Sequence, residues 1–215
     1  MSVFVVAGTD TGVGKTVFSA ALAGALHAAY WKPVQAGLGG ETDSEIVARL
    51  AGLESQRVLP EAFRLKTPAS PHLAARLDSL AVEPARLDPP QKPRPLVIET
   101  AGGVMTPLTL QTTNADLLGR WRLPVIVVAR TALGTINHSL LTLEALRRRG
   151  APVLGVAFIG EEDAEAQSAI AQMGEARVLG RLPPLAALTR ESLAAAFAAA
   201  FAPADLLKGS LSCRS

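Results

Sequence analysis

An apolar run that passes straight into a glycine-rich loop and then into a helix-patterned stretch opens the chain, and few folds accept that order. Residues 2–7, Ser2-Val3-Phe4-Val5-Val6-Ala7, are rich in β-branched side chains and almost wholly apolar. That is the composition of a strand in a parallel sheet covered on both faces. The nine residues GTDTGVGKT, from Gly8 to Thr16, follow at once. Beyond them Val17, Ala20, Ala21, Leu22, Ala23 and Leu26 recur at helical spacing without a proline, so the loop is a strand-to-helix turn. Its backbone amides point at an anion. Lys15 reaches the terminal phosphates of a nucleotide as a point charge, and the Thr16 hydroxyl suits the magnesium that bridges them. The spacing departs from the standard phosphate loop: five residues separate Gly8 from Gly14, and Thr9 stands where the first glycine usually falls. A glycine-rich turn that only lets helix and strand pack is the rival reading.

Further strands are expected at Tyr30 to Val34, Leu96 to Glu99, Val125 to Ala129, Val153 to Ile159 and Arg177 to Leu182. Helices are expected at Thr42 to Ala51, Ala115 to Arg122, His138 to Arg149, Ala164 to Met173 and Thr189 to Phe201. This alternation predicts an α/β fold: one doubly wound, mainly parallel sheet with helices on both faces, of the P-loop NTPase type. With 215 residues there is room for one such domain, expected over residues 1–207, with 208–215 as a loose polar tail. The proline-rich stretch between Pro60 and Pro95 reads either as a lid or binding loop or as a connection without a function.

Composition narrows the partners. Hydrophobic residues make up 49% of the chain, yet no apolar run approaches the roughly 20 residues of a membrane span. The one basic cluster, Arg147-Arg148-Arg149, falls at a predicted helix end, where it complements the helix dipole, and no aromatic residue flanks it. Neither a membrane nor a nucleic acid is therefore expected as a partner. The single cysteine, Cys213, cannot form an internal disulfide, and the first residues lack a secretory signal, so a cytoplasmic location is expected.

Other segments carry chemistry. Val97-Ile98-Glu99-Thr100-Ala101-Gly102-Gly103 is a buried-type strand that ends in a carboxylate and a glycine pair. Ligands in open parallel sheets bind at the carboxyl ends of strands, so Glu99 belongs beside the phosphate loop and is a candidate magnesium ligand. In Lys32-Pro33-Val34-Gln35-Ala36-Gly37 a lysine falls in or at the end of a strand, which is costly unless a phosphate or carboxylate pairs with it. Asp43 reads equally as a second magnesium carboxylate or as a helix cap. Leu133-Gly134-Thr135-Ile136-Asn137-His138 precedes a helix whose free amides form an anion site, although Asn137 or Ser139 also reads as a plain cap.

Taken in order, GTDTGVGKT, Lys32-Pro-Val, Ser70-Pro-His, Glu99-Thr-Ala-Gly-Gly with Thr106-Pro-Leu, and Leu133-Gly-Thr-Ile-Asn-His resemble the dethiobiotin synthetases of biotin biosynthesis, from Ser2 to about Leu182. The resemblance implies a homodimer that uses ATP and magnesium to join carbon dioxide to the neighbouring amines of 7,8-diaminononanoate. A carbamate forms, ATP phosphorylates it, and the second amine closes a cyclic urea. The resemblance further implies Lys15, Lys32 and Thr11 as catalytic residues and Thr16, Asp43 and Glu99 as magnesium ligands. Nucleotide would meet Gly12, Val13, Gly14, Lys15, Thr16, Val17, Glu99, Gly102, Gly160, Leu182 and Pro183. Substrate would meet Thr11, Lys32, Gln35, Ala36 and Gly102, with Gly134, Thr135, Ile136 and Asn137 supplied by the other subunit. The chain departs from the family at Gly12, where many members carry an acid, and after Ile159, where Gly160-Glu161-Glu162 replaces the asparagine that reads adenine. Three rivals stand beside this reading. A partitioning ATPase would carry a lysine at the position of Asp10; a related amidoligase or small-molecule kinase would use the same nucleotide machinery; a regulatory module would bind ATP without consuming it.

Overall fold

The computed structural model describes residues 2–91, 95–204 and 206–207. Strand β1 (Val3–Gly8) lies at the heart of the molecule, every residue of it buried, and feeds the phosphate loop and then α1 (Lys15–Ala25). After β2 (Ala29–Trp31) and the short β3 (Val34–Ala36) come α2 (Asp43–Ala51), β4 (Val58–Leu59), β5 (Phe63–Leu65) and α3 (Pro71–Leu77). The second half alternates strictly: β6 (Leu96–Gly103), α4 (Asn114–Trp121), β7 (Val125–Arg130), α5 (Thr135–Arg147), β8 (Val153–Ile159), α6 (Ala164–Met173), β9 (Val178–Leu182) and α7 (Arg190–Ala200). Seven strands form one sheet in the order β4-β2-β6-β1-β7-β8-β9, and every pairing in it is parallel. The fold is thus the expected doubly wound α/β sheet. No helix among the described residues is long and apolar enough to cross a membrane.

The alternation of side chains along β1 explains both layers. Phe4 and Val6 point to the face covered by α1, α2 and α7, where Phe18, Leu22, Val47 and Phe197 are buried. Val3, Val5 and Ala7 point to the other face, covered by α4, α5 and α6 through Leu118, Leu143 and Ile170. β1 runs between β6 and β7, and the chain winds outward in opposite directions from it. This is the switch point where open α/β sheets bind their ligands.

Three expectations need correcting. The second strand does not run from Tyr30 to Val34, because Pro33 has no N–H for the ladder. β2 stops at Trp31, and the chain restarts as β3 in a separate two-stranded sheet with β5. The proline-rich stretch is not irregular throughout: it holds β5 and α3, although Lys92, Pro93 and Arg94 lie outside the described residues, as do Cys213 and the predicted tail 208–215. The helix expected from His138 begins three residues sooner, at Thr135. Neither Asn137 nor Ser139 caps it; Gly134 occupies the cap position with a positive φ of 91°.

Candidate functional site

Backbone geometry at the phosphate loop leaves little choice of residue. Gly14, the N-cap of α1, has φ 93°, and a Cβ there would sit 2.6 Å from the Ile159 side chain. Only glycine allows both. At Gly8 an added Cβ would meet the Lys15 side chain at 2.9 Å, because Lys15 folds back over the loop and donates to the Asp10 carbonyl at 2.8 Å. Burial pushes the Lys15 ammonium down to about 8, with the Glu99 carboxylate opposing and Lys32 reinforcing the shift.

Behind the loop lies a buried cluster of charge. The α2 cap explains how Asp43 comes to it. Thr42 and Glu45 form a reciprocal capping box, Thr42 being the cap, which leaves the carboxylate of Asp43 free to turn inward. Thr16 Oγ1 lies 2.8 Å from Asp43 Oδ1 and 2.9 Å from Glu99 Oε1. Lys32, stranded at the break between β2 and β3 and only 4% exposed, places Nζ 2.5 Å from Asp43 Oδ2 and 2.9 Å from Glu99 Oε1. Burial alone would lower the Lys32 ammonium; Glu99 and Asp43 outweigh it and hold the group above its ordinary value. Burial likewise works to raise Asp43, yet Lys32 and the Thr16 hydroxyl hold it below the usual carboxylate range. Tyr30 donates from its hydroxyl to Glu99 Oε2 at 3.0 Å, and burial followed by the Glu99 charge keeps that hydroxyl protonated well past its usual range.

These groups open onto a cavity of about 680 Å³. Of the residues predicted from the sequence, Thr11, Gly12, Gly14, Lys15, Thr16, Val17, Lys32, Ala36, Asp43, Glu99 and Gly102 line it together. Val13 is buried beneath the loop. Gln35 is not on the cavity wall: its amide group is taken up with the Asp43 N–H and the carbonyls of Ala36 and Gly37, so it shapes the turn instead of facing the cavity. Gly160, Leu182 and Pro183 form a separate corner at the ends of β8 and β9, where Gly160 N donates to the Leu182 carbonyl at 3.0 Å and Arg181 to the Gly160 carbonyl at 2.8 Å. Ile159, against Gly14, joins that corner to the loop. Gly134, Thr135, Ile136 and Asn137 do not line the cavity; Thr135 is buried and its hydroxyl is bound to the Arg130 carbonyl, while Ile136 and Asn137 face outward.

Of the two readings of the proline-rich stretch, the binding loop fits the wall formed by Pro68, Ala69, Ser70 and Pro71, although sequence reasoning named none of these as site residues, and it missed the contact from Tyr30. A proline after a serine is a signal for a helix start, and Pro71 does open α3. Arginines 147 and 149 serve the fold: Arg147 donates to the Gly174 and Glu175 carbonyls, and Arg149 pairs with Asp116.

The oxygens at the centre of the site match a hard divalent cation. Thr16, Asp43 and Glu99 bring three oxygens together with a single hydroxyl proton among them, and the donor set contains no nitrogen or sulfur. A positive charge, the Lys32 ammonium, already sits against both carboxylates.

Comparison with known proteins is consistent along the length of the chain. A family described as an AAA domain matches residues 2–192. An ATP-dependent dethiobiotin synthetase BioD of Nitrobacter hamburgensis is 63% identical over 205 residues, covering 95% of this chain and 97% of that protein. The protein of that description from Agrobacterium fabrum is 61% identical, with 95% and 97% covered. Among solved structures, a ParA family ATPase from Chlorobium tepidum superposes with a TM-score of 0.52 at 12% identity, over 98% of this chain and 95% of that one. The cell division ATPase MinD of Pyrococcus furiosus gives 0.52 at 11% identity, with 97% and 99% covered. At such identities the likeness is one of fold alone.

Proposed function

The chain belongs to the family of ATP-dependent dethiobiotin synthetases, and from that premise we propose how its own residues carry out the reaction. The reaction joins carbon dioxide to 7,8-diaminononanoate and closes the ring with ATP, forming C–N bonds. One amine captures carbon dioxide as a carbamate, whose oxygen takes the γ-phosphoryl group. The second amine then attacks the activated carbonyl, and phosphate leaves. No protein nucleophile is needed, so positioning and charge do the work.

The observation that carries this reading is the convergence behind the phosphate loop of Thr16 and Lys32 on the same two carboxylates, each lying 2.5–2.9 Å from an oxygen of Asp43 and of Glu99. The amides from Thr11 to Thr16 cradle the triphosphate, and Lys15 swings from the Asp10 carbonyl onto the transferred phosphoryl group. Lys32 faces the carbamate. Both reactants are anionic, and these ammonium groups offset a repulsion that would otherwise keep them apart. Thr16, Asp43 and Glu99 would hold magnesium, which when bound supplies positive charge across the phosphates. Thr11, Ala36 and Gly102 line the space left for the diamine, with Pro68 to Pro71 as its outer wall. Gly160, Leu182 and Pro183 meet the base.

Glu99→Gln is expected to raise the magnesium concentration for half-maximal turnover by about tenfold or more while the far-ultraviolet circular dichroism stays native. An unaltered magnesium requirement would remove Glu99 from the metal site.

The working unit in this reading is a homodimer in which Gly134 to Asn137 of one subunit meet the substrate carboxylate in the other. Two features support it. Met105, Leu133, Ile136 and Leu141 leave apolar surface exposed around the start of α5. A depression of about 320 Å³ beside them runs from Thr9 and Asp10 past Thr106 to His138 and Leu141. Leu141→Arg, at a position 56% exposed, is therefore expected to yield a folded monomer with little activity. Light scattering coupled to gel filtration, run beside the activity assay, reads both, and an active dimer would count against this interface. Residues 1–207 act as one α/β domain in this reading, and the reaction takes place in the cytoplasm.

A further inference from the structure

Tyr30 stands outside every role assigned so far, yet it reaches the centre of the site. In the parallel pairing of β2 with β6, Tyr30 lies opposite Val97, and Trp31 opposite Ile98. Side chains alternate along a strand, so Glu99, two residues beyond Val97, projects to the same face as Tyr30. Strand side chains lean along the strand direction, and the length of the tyrosine ring spans the two-residue offset. The result is a hydrogen bond of 3.0 Å from Tyr30 Oη to Glu99 Oε2, formed with both residues wholly shielded from water. Glu99 Oε1 is the oxygen that faces Thr16 and Lys32. The two carboxylate oxygens are thus divided: one faces the site, the other is tied to the core.

We propose that Tyr30 is a positioning residue for the magnesium site, orienting Glu99 so that Oε1 faces Thr16 and Lys32. The proposal rests on the reading of Glu99 as a magnesium ligand. Tyr30 itself is wholly buried and does not line the cavity. A buried phenol hydroxyl needs a partner, and a buried carboxylate oxygen needs a donor, so this one bond satisfies both groups while fixing the carboxylate plane. Phenylalanine keeps the ring and its packing but removes the donor. The carboxylate can then rotate, and its affinity for a cation falls.

The test compares Tyr30→Phe with Glu99→Gln and the unaltered protein. Manganese binding in the presence of ADP, followed by electron paramagnetic resonance, is expected to weaken by roughly tenfold in Tyr30→Phe, the lower end of what an outer partner of a metal ligand contributes. The magnesium concentration for half-maximal turnover rises in parallel, and kcat at saturating magnesium stays within about twofold. A merely structural role would lower kcat at every magnesium concentration and leave manganese affinity unmoved; that pattern overturns the proposal. If Glu99→Gln weakens manganese binding and Tyr30→Phe does not, Tyr30 alone is misassigned. If neither does, the metal reading falls with it.

Tyr30 is the chain's single tyrosine, so incorporation of 3-fluorotyrosine labels this site and no other, without any substitution that threatens folding. The one fluorine resonance is expected to shift when magnesium is added to the ADP complex. It is expected not to shift in Glu99→Gln. A resonance indifferent to magnesium in the unaltered background overturns the proposal as well.

Discussion

Lys15→Met lowers kcat by about a hundredfold to a thousandfold, the cost of deleting one fixed charge aimed at a transferring group, while the melting temperature moves little. Lys15 is buried over Gly8 and makes a single hydrogen bond, to the Asp10 carbonyl, which methionine gives up at a cost of about 1 kcal/mol or less. Its contribution to folding is small because burial works against its charge, as the depression to about 8 records. A triphosphate reverses that balance. The charged form binds phosphate, so binding raises the ammonium back toward its ordinary value. Nucleotide affinity without divalent cations should therefore decline as pH rises through and beyond the free-form value of about 8. Binding near pH 8 should take up a fraction of a proton, detectable by calorimetry in buffers of different ionisation enthalpy. Lys15→Met abolishes both the decline and the uptake. A variant with kcat within threefold of the unaltered protein would show that Lys15 does not meet the reacting phosphoryl group.

Lys32→Met has a double effect, and here the structure adds to what the sequence leads one to expect. The resemblance casts Lys32 as a catalytic residue, which by itself points to a loss of turnover. In the structure its ammonium is the cation shared by the carboxylates of Glu99 and Asp43, with side-chain exposures of 0% and 27%. Removing one partner of a buried ion pair leaves uncompensated charge and costs about 3–5 kcal/mol. Lys32→Met should therefore lose roughly that much stability in urea denaturation without divalent cations, together with at least a hundredfold in turnover. Magnesium is expected to restore part of the stability, because it provides the missing positive charge to the same oxygens. The unaltered protein should gain less from magnesium, since Lys32 already occupies those carboxylates. Equal stability of the two proteins without magnesium would refute the pairing.

The legible parts of this site were those where local chemistry conflicts with a simple core. Gly14 and Lys15 announce themselves because no packing argument requires Gly-Lys-Thr between a strand and a helix. Glu99 was legible because a carboxylate at the end of an apolar strand needs a partner. Asp43 stayed ambiguous until α2 showed Thr42 in the cap position, which settles the competition between cap and cavity in favour of the cavity. Tyr30 was illegible: an aromatic residue in a strand reads as core, and its ring is core; only the register between β2 and β6 brings its hydroxyl to Glu99. The Pro68 to Pro71 wall was half legible: a binding loop was already one of the two readings of the proline-rich stretch, but the seven residues of α3 are too few to show a helical period and so fix which residues turn to the cavity. The start of α5 was misread because a glycine cap carries no side-chain signal, whereas Asn137 and Ser139 do.

Whether the protein makes dethiobiotin is read from phosphate release from ATP, magnesium and bicarbonate, measured with and without 7,8-diaminononanoate while dethiobiotin is followed by mass. Phosphate release is expected to depend on the diamine and to match dethiobiotin one for one. Phosphate release indifferent to the diamine, with no dethiobiotin formed, would contradict that function.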